Sequence, residues 1–586
     1  MRQNIKHKRE IVLGVCCIVL MTFFACQETD LEAFTPLEPN LNFGVSQLEI
    51  TADAGTYQIP VTSNLPWRAK SEASWITLEV ENGAGDGDIV INVEKNTNEN
   101  SRSGRLVVWI TQEQPKEFLV TQSEGEAQPS IFQVFYVKGD GNANASGTSW
   151  SNATTLAAAL SKALSGDTLH IAAGVYAPER TITGGDANNA RDKTHEIANN
   201  IVLIGGYPAN ASEGAVSSPD VNTTVLSGSM GSANAYHAVT VTAPLENGRK
   251  VILNGLTIKD GETGVAGTGE VSANGVRFMR THGGGLVIGK SVVDVINCDI
   301  TDNVSQTHAA GVFVFAGATV MFDKCKLRNN IGNASCNGGG LWNDASVVYL
   351  YNTEVSNNQI VGVGAGIYAF GTGSAATKTY IINSTISENK TGASNSASGY
   401  YGRAGSTGVI INSTISGNVT SGDGGGISMH GGAVLDVISS TITGNSSARN
   451  GGGIMVHIDC TLSLYNTIVS GNTGLTEDVN EIRNDGTCTQ SYSIIGKSLY
   501  DESNLVEGKT FNAATMLGAL ANNGGFTKTC TLTGDNNVAV GNGMSLTALE
   551  VLNLGYAPNV PETAVSVDQT GRSRAGKTDI GAVIKN

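Results

Sequence analysis

The side chains best suited to chemistry fall at one recurring place. Six short Gly-rich runs, among them Gly338-Gly339-Gly340, Gly424-Gly425-Gly426 and Gly451-Gly452-Gly453, are each followed by an apolar residue (Leu341, Ile427, Ile454) that opens an alternating segment. If that apolar residue points inward on a strand, the next residue and the one two further on point outward. Read this way, one outward column carries Phe313, Phe315, Trp342, Asp344, Tyr368, Phe370, His430 and His457, with Asp459 close behind. Imidazole and carboxylate are the natural acid–base groups, so Asp344, His430, His457 and Asp459 are the candidates for catalysis. Hydrolysis of a glycosidic bond needs two carboxylates on one face at a set separation. Eliminative cleavage of an acidic sugar chain needs a Lys or Arg base and a calcium ion held by carboxylates. Neither constellation is evident in this column. A climbing row of aromatic rings suits stacking on the apolar faces of sugars. The same row under a loop would be a second core.

Other pairs share a register. His282 and His308 each stand four residues before an inward position (Leu286, Val312), as do Asn337 and Asn450 in other copies. Stacked imidazoles could hold a metal, but a hydrogen-bonded turn ladder explains the mixture of His and Asn better. Cys298 and Cys325 also coincide, and either pair or pack beside the Ser and Thr of later copies. Asp140, Asn142 and Asn144 alternate like part of a calcium loop, yet no Glu completes it, so a polar turn is expected. The glycine runs lack a following helix or Lys-Ser/Thr and are not phosphate cradles.

What positions these residues is a repeat. A seven-residue pattern starts at Asn297, Lys324, Asn352, Asn383, Asn412, Ser439 and Asn466, spaced by 27 to 31 residues, and every copy ends in Asn. Its central apolar residues are Ile300, Leu327, Val355, Ile386, Ile415, Ile442 and Val469. A unit of this length cannot bury its apolar side alone, and stacking successive units about 4.8 Å apart makes a continuous core. The terminal Asn then forms a buried amide column, each amide donating to one neighbour and accepting from the other. The expectation is an all-β chain dominated by a right-handed parallel β-helix. The Gly-Gly-Gly-Ile and Ile-x-x-Asn elements resemble polymorphic outer-membrane-protein repeats of the pectin-lyase-like fold. The segments Ala521 to Thr527, Asp568 to Arg572 and Asp579 to Ala582 resemble the choice-of-anchor Q end module, with Thr570 and Val583-Ile584 departing from its pattern. Leu156, Leu160 and Leu164 recur at helical spacing and are expected to cap the open first coil.

Ahead of the repeat, residues 41–124 read as short alternating strands between Gly, Asn and Asp turns, which suits a small immunoglobulin-like β-sandwich. Leu65-Pro66-Trp67, Ser74-Trp75-Ile76, Arg102-Ser103-Gly104-Arg105 and Val120-Thr121-Gln122 resemble a BACON domain, whose name implies carbohydrate association. Trp67 and Trp75 are then either sugar platforms or core. Linkers are expected at 26–40 and 125–133, and the β-helix with its end module over 134–586.

Residues 1–25 combine Arg2, Lys6, Lys8 and Arg9 with a short apolar run and read as a signal peptide. Phe23-Phe24-Ala25-Cys26 resembles a lipobox, which makes Cys26 the acylation site, and the acidic Gln27-Glu28-Thr29-Asp30 resembles the surface-export signals of Bacteroidetes-type lipoproteins. An outer-membrane lipoprotein facing the exterior is expected, touching the membrane through its lipid alone. The chain has 586 residues, 73 Gly and a net charge of −16, with no basic cluster for nucleic acid. No Cys/His spacing suggests zinc, and calcium is the one cofactor left open. Together these readings point to a surface-anchored, adhesin-like β-helix that contacts a polysaccharide or cell-surface glycan without evident catalysis. A polysaccharide lyase or glycoside hydrolase, and a passive envelope protein, are the alternatives. One consequence is direct: cells fed labelled palmitate should label this chain, and Cys26→Ser should abolish the label and release the protein from the membrane fraction.

Overall fold

The computed structural model describes residues 37–98, 100–111, 114–125, 132–333, 335–371, 377–392, 397–502 and 504–585. Cys26 and the whole of 1–25 lie outside the described residues. The chain divides into two compact units between residues 131 and 132.

The first unit is a β-sandwich. One sheet orders Leu41–Phe43, Gly55–Ser63, Gly87–Val93 and Ile76–Val80; the other orders Gln47–Ile50, Lys116–Gln122, Arg102–Trp109, Trp67–Ser71 and Asn82–Gly83. Alternation does the sorting. In Arg102–Trp109 the residues Gly104, Leu106 and Val108 are buried while Ser103 and Arg105 face water. Ile59, Ile89, Ile91, Leu106, Phe118 and Val120 fill the space between the sheets.

The second unit is a right-handed parallel β-helix. One coil shows the plan. Val292–Ile296 lies on a first face, Asp299–Thr301 on a second, Val304–Ser305 on a short third and Val312–Phe315 on a fourth, before Thr319–Asp323 returns to the first. Among the described residues the four faces stack twelve, thirteen, six and ten strands. Leu156–Lys162 is a helix with Thr155 accepting from the Ala158 N–H, and Leu156, Ala159 and Leu160 are buried over the first coils.

Register follows the heptad. Its first position is left-handed in every copy (φ 46–54° at Asn297, Lys324, Asn352, Asn383, Asn412, Ser439 and Asn466), a conformation that Asn tolerates and most residues do not. Its central residues, Ile300 through Val469, are almost wholly buried in line. Its last residue makes the amide column: Nδ2 of Asn303, Asn330, Asn358, Asn389, Asn418 and Asn445 donates to Oδ1 of the next asparagine at 2.8–3.0 Å. The second Nδ2 hydrogen goes to a carbonyl of the preceding coil, as from Asn389 to Val355 O at 2.9 Å. Each Oδ1 also accepts the backbone N–H of the asparagine before it. Every polar atom of these side chains is thus satisfied in an interior that excludes water.

A hydroxyl ladder runs beside it. Thr353 N–H donates to Ser384 Oγ, Ser384 N–H to Ser413 Oγ, and so on to Ser493. Cys298 and Cys325 take this position in the earlier coils, and all six cysteines of the described residues are unpaired thiols. Where the Gly-rich run is degenerate, Tyr400 takes the inward place opposite Ile367. It fits because Gly408 lies across from it: a Cβ there would stand 2.8 Å from the Tyr400 hydroxyl.

Asn389→Ala would leave two donors of Asn358 without acceptors. A loss of about 3 kcal/mol is expected in urea unfolding, against less than about 0.5 kcal/mol for Lys390→Ala on the exposed third face.

Candidate functional site

The outward column of the fourth face proves to be covered. Phe313, Trp342, Tyr368 and Tyr401 stack from coil to coil with ring centroids 5.2–5.4 Å apart, and all four are buried. The insertion after Leu256–Lys259 forms a hairpin, Glu270–Ala273 with Val276–Met279. Its Val271 and Phe278 pack on this row together with Ile182 and Val287. A pair of short hydrogen bonds between Arg280 and Asp192 (2.6 Å each) pins the hairpin down. This corrects the expectation of an exposed glycan platform: Phe313, Trp342 and Tyr368 form a second core, and Phe315 and Phe370 are half-buried at its rim. The physical reason is the hairpin, which brings its own apolar face to the rings.

The candidate catalytic residues do not converge. Register runs Asp344, Phe370, Arg403, His430 along the column, so Asp344 lies three coils, about 14 Å, from His430. His430 and His457 do meet, with ring centroids 3.5 Å apart. Burial, then the neighbouring His457 and Arg403, push His430 down to about 4, and burial lowers His457. Ser428 shares a hydrogen bond with His430 at 3.0 Å, while His457 Nε2 is buried without a partner. Asp459 sits exposed in a left-handed turn (φ 65°). His282 and His308 stack on adjacent coils at 4.8 Å and pack against Trp342, within the second core. Asn142 Oδ1 accepts the Asn144 N–H, which makes that segment the expected polar turn. Among the described residues no three His, Cys, Asp or Glu side chains are grouped to hold a metal.

The open site lies on the second face. A groove of about 500 Å³ crosses the coils along the register Val225, Thr257, Asp299 and Lys326. Its floor carries Lys259, Lys324, Lys326 and Arg328 beside Asp299 and Asp302, with Pro219 and Asp220 on one side and Phe526 on another. Arg328 is held in a fork by Asp299 (Nη2–Oδ2 2.7 Å, Nε–Oδ1 3.0 Å), and this hydrogen bonding raises its pKa. Lys324 and Lys326 are exposed, and their ammonium groups meet no partner among the described residues. Lys324 stands in the left-handed turn that five other copies give to Asn. Such a conformation costs a lysine about 1 kcal/mol.

The last part of the chain makes this a groove. Residues from 519 onward run back along the second face and cover its later coils. Gln569 bridges Thr385 and Thr414, Lys528 O accepts from Thr385, and the Ala582 N–H donates to Thr441. The cover ends at Lys528, 3.9 Å from Glu354, and Phe526, 41% exposed, closes the groove there. Sequence reading passed over these cations because they occupy the heptad, which it used for register alone. The signal was present: Lys324, Lys326 and Arg328 fall in one copy, whereas the other copies carry no Lys or Arg at these three positions.

On the front domain Trp67 is a core residue, its Nε1 donating to Gly85 O at 2.8 Å, and it is not a sugar platform. Trp75 packs against the same core and has the Arg102 guanidinium 4.3 Å above its ring, so that face too is occupied.

Residues 65–123 match the BACON family, described as "Putative binding domain, N-terminal". No curated protein matches the chain. Among solved structures, the pectate lyase Pel9A aligns over 78% of this chain and 96% of its own at 13% identity and a TM-score of 0.44. A xyloglucanase of glycoside hydrolase family 5 from Bacteroides ovatus, solved with a XXXG heptasaccharide, aligns over 28% of this chain and 45% of its own at 14% identity and a TM-score of 0.14. At these values neither match assigns a residue or a reaction to this chain.

Buried imidazoles set an acid limit. Burial holds His195 and His237 at about 4 and His282 at about 3, all below the 6.5 of an unfolded histidine. The unfolded chain therefore binds more protons between about pH 6.5 and 4, and stability should fall as pH drops through that window. Each fully buried imidazole contributes up to about 3 kcal/mol. Thermal midpoints measured from pH 7 to 4 should decline steadily, and His237→Gln, which keeps a donor for Gly283 O, should make the decline shallower.

Proposed function

We propose that this chain binds an acidic polysaccharide along the groove of its second face, as a surface-anchored glycan-binding lipoprotein. The observation that carries this reading is the pair of exposed ammonium groups, Lys324 and Lys326, unpartnered among the described residues and beside a forked Arg328, in a chain whose net charge is −16. Arg328 spends its fork on Asp299 and is fixed by it, while the lysine ammoniums supply point charges that reach a carboxylate without a fixed angle. The coils rise about 4.8 Å, so a groove crossing four of them offers about 14 Å of length, enough for a few sugar units laid along the axis. Phe526 gives one end an apolar wall on which a pyranose face can rest. Asp220, Asp299 and Asp302 temper the charge and supply acceptors for hydroxyls.

A cleaving role is the second reading, favoured by Lys326 and Arg328 pointing into the groove two residues apart on one strand. In a β-elimination a base would take the proton beside the uronate carboxylate as the glycosidic C–O bond breaks, leaving an unsaturated sugar end. One experiment separates the readings. The purified chain, run in affinity gels with polygalacturonate, alginate or chondroitin sulfate, should be retarded by at least one polyanion without releasing unsaturated ends. Lys324→Ala with Lys326→Ala should weaken retardation about tenfold to a hundredfold and lessen its salt dependence. Retardation unchanged in that double variant would falsify the groove assignment, and unsaturated products would replace binding by catalysis.

A further inference from the structure

The hairpin over the second core is joined to the coils by little besides its apolar face. Glu270–Ala273 and Val276–Met279 pair only with each other, and among the described residues no backbone hydrogen bond links them to a coil. Gly264 N–H donates to Arg280 O and closes the base of the loop. Two side chains anchor it: Arg280 forks onto Asp192 at the base, and Asn274 Nδ2 at the tip donates to Thr242 O at 2.8 Å. What it covers is costly to keep dry. Trp342 Nε1 and His308 Nδ1, in rings 5.0 Å apart, are buried without a partner among the described residues. His282 stacks on His308 at 4.8 Å, and His237 lines a narrow gap with Val271, Phe278 and Arg280. Arg191, Lys193, Asp192 and Tyr236 face the same gap, with Asp186 near Arg280. An unmet buried donor or acceptor carries its whole desolvation cost, which water repays once it can enter.

We propose that residues 264–280 are a strap that lifts as a unit from the aromatic row while the coils stay folded, and that acid surroundings drive the lifting. Closed, the strap keeps three imidazoles neutral. Burial, then the cations Arg280 and Arg191, hold His237 at about 4 against the pull of Gly283 O and Asp192. Burial, then His308 and His237, hold His282 at about 3, and burial lowers His308. Lifted, each imidazole meets water and returns toward 6.5. The open form therefore binds more protons, and it gains on the closed form as pH falls below 6.5. The clamp does not act as the trigger. Burial alone would raise the Asp192 carboxyl, but the hydrogen bonds from Arg280 and the Asp186 N–H hold it below its ordinary value, so it stays charged through this window. Lifting brings Phe313, Trp342 and Tyr368 to solvent and satisfies the two orphaned ring nitrogens at once.

The test is amide hydrogen exchange read by mass spectrometry on the full chain carrying Cys26→Ser, at pH 7 and pH 5, with each rate divided by its intrinsic value. Protection over 264–280 should fall on acidification, by about thirtyfold for each imidazole that lifting brings to water. Peptides spanning 383–389 and 412–418 should keep their protection. His237→Gln with His282→Gln should remove most of the acid effect. Asn274→Gly deletes the tip anchor at an exposed position whose backbone is left-handed (φ 47°) and suits glycine. It should lower protection of the strap several-fold already at pH 7, and it keeps the test decisive if the double histidine variant does not fold. The proposal is overturned if the strap is equally protected at both pH values, if the coil peptides lose protection in step with it, or if a folded double histidine variant responds to acid as the parent does.

Discussion

Seven asparagines, Asn303 to Asn472, hold the long unit of this protein in register. A parallel β-helix has strong cohesion between coils, but backbone ladders alone would tolerate slippage. A buried amide column does not. Between its ends, each asparagine of the column donates to two acceptors and accepts from two donors supplied by neighbouring coils, so a shift of one residue would bury several unmet groups at once. The column also needs ends. The Gly261 N–H donates to Asn303 Oδ1 at the first, and at the last the Glu481 carboxylate stands in for the missing amide, accepting from Asn472 Nδ2 at 2.7 Å. Burial raises the pKa of Glu481, and the hydrogen bonds from Asn472 and Gly471 pull it back.

With register secured at one corner, the other faces are free to diverge. Insertions enter where the coil turns, residues 208–223 between the first and second faces and residues 260–285 between the second and fourth, and the hairpin of the latter packs in the aromatic cluster. It turns an aromatic surface, which would otherwise be exposed over several coils, into a second core. The opposite happens on the second face. There the outward positions from Thr257 to Thr441 are polar, and the returning end of the chain covers the later coils, from Thr385 to Ile468. The earlier coils stay open and carry the concentrated charge. The aromatic column, outward in register, thus ends buried, while the lysine-bearing copy of the heptad stays open.

Much of the fold was legible because its rule is periodic. Ile300 through Val469 and the terminal Asn of each heptad recur at near-constant spacing, and stacking is the one arrangement that buries them all. Even the irregular copy obeys: Tyr400 fills the place of an isoleucine because Gly408 vacates a volume across from it, a compensation between residues that only packing relates. The cysteines needed no bridge, since Cys298 and Cys325 stand where later coils put Thr and Ser. The site was less legible. Alternation told correctly which side chains leave the core, including Phe313 and Trp342, but leaving one core does not mean reaching water.

The amino-acid sequence by itself determined the coil, its register, the polarity of each position and the sandwich ahead of it, because these follow from local spacing and from burial repeated at short range. Which outward surface is open was decided by tertiary structure alone. Residues such as Phe278 and Gln569 act on coils far from them in the chain, and no local pattern records where a distant segment comes to rest. Trp67 and Trp109 show the same limit at small scale: both lie on strands of one sheet, and only the side to which each points separates a core residue from a surface one.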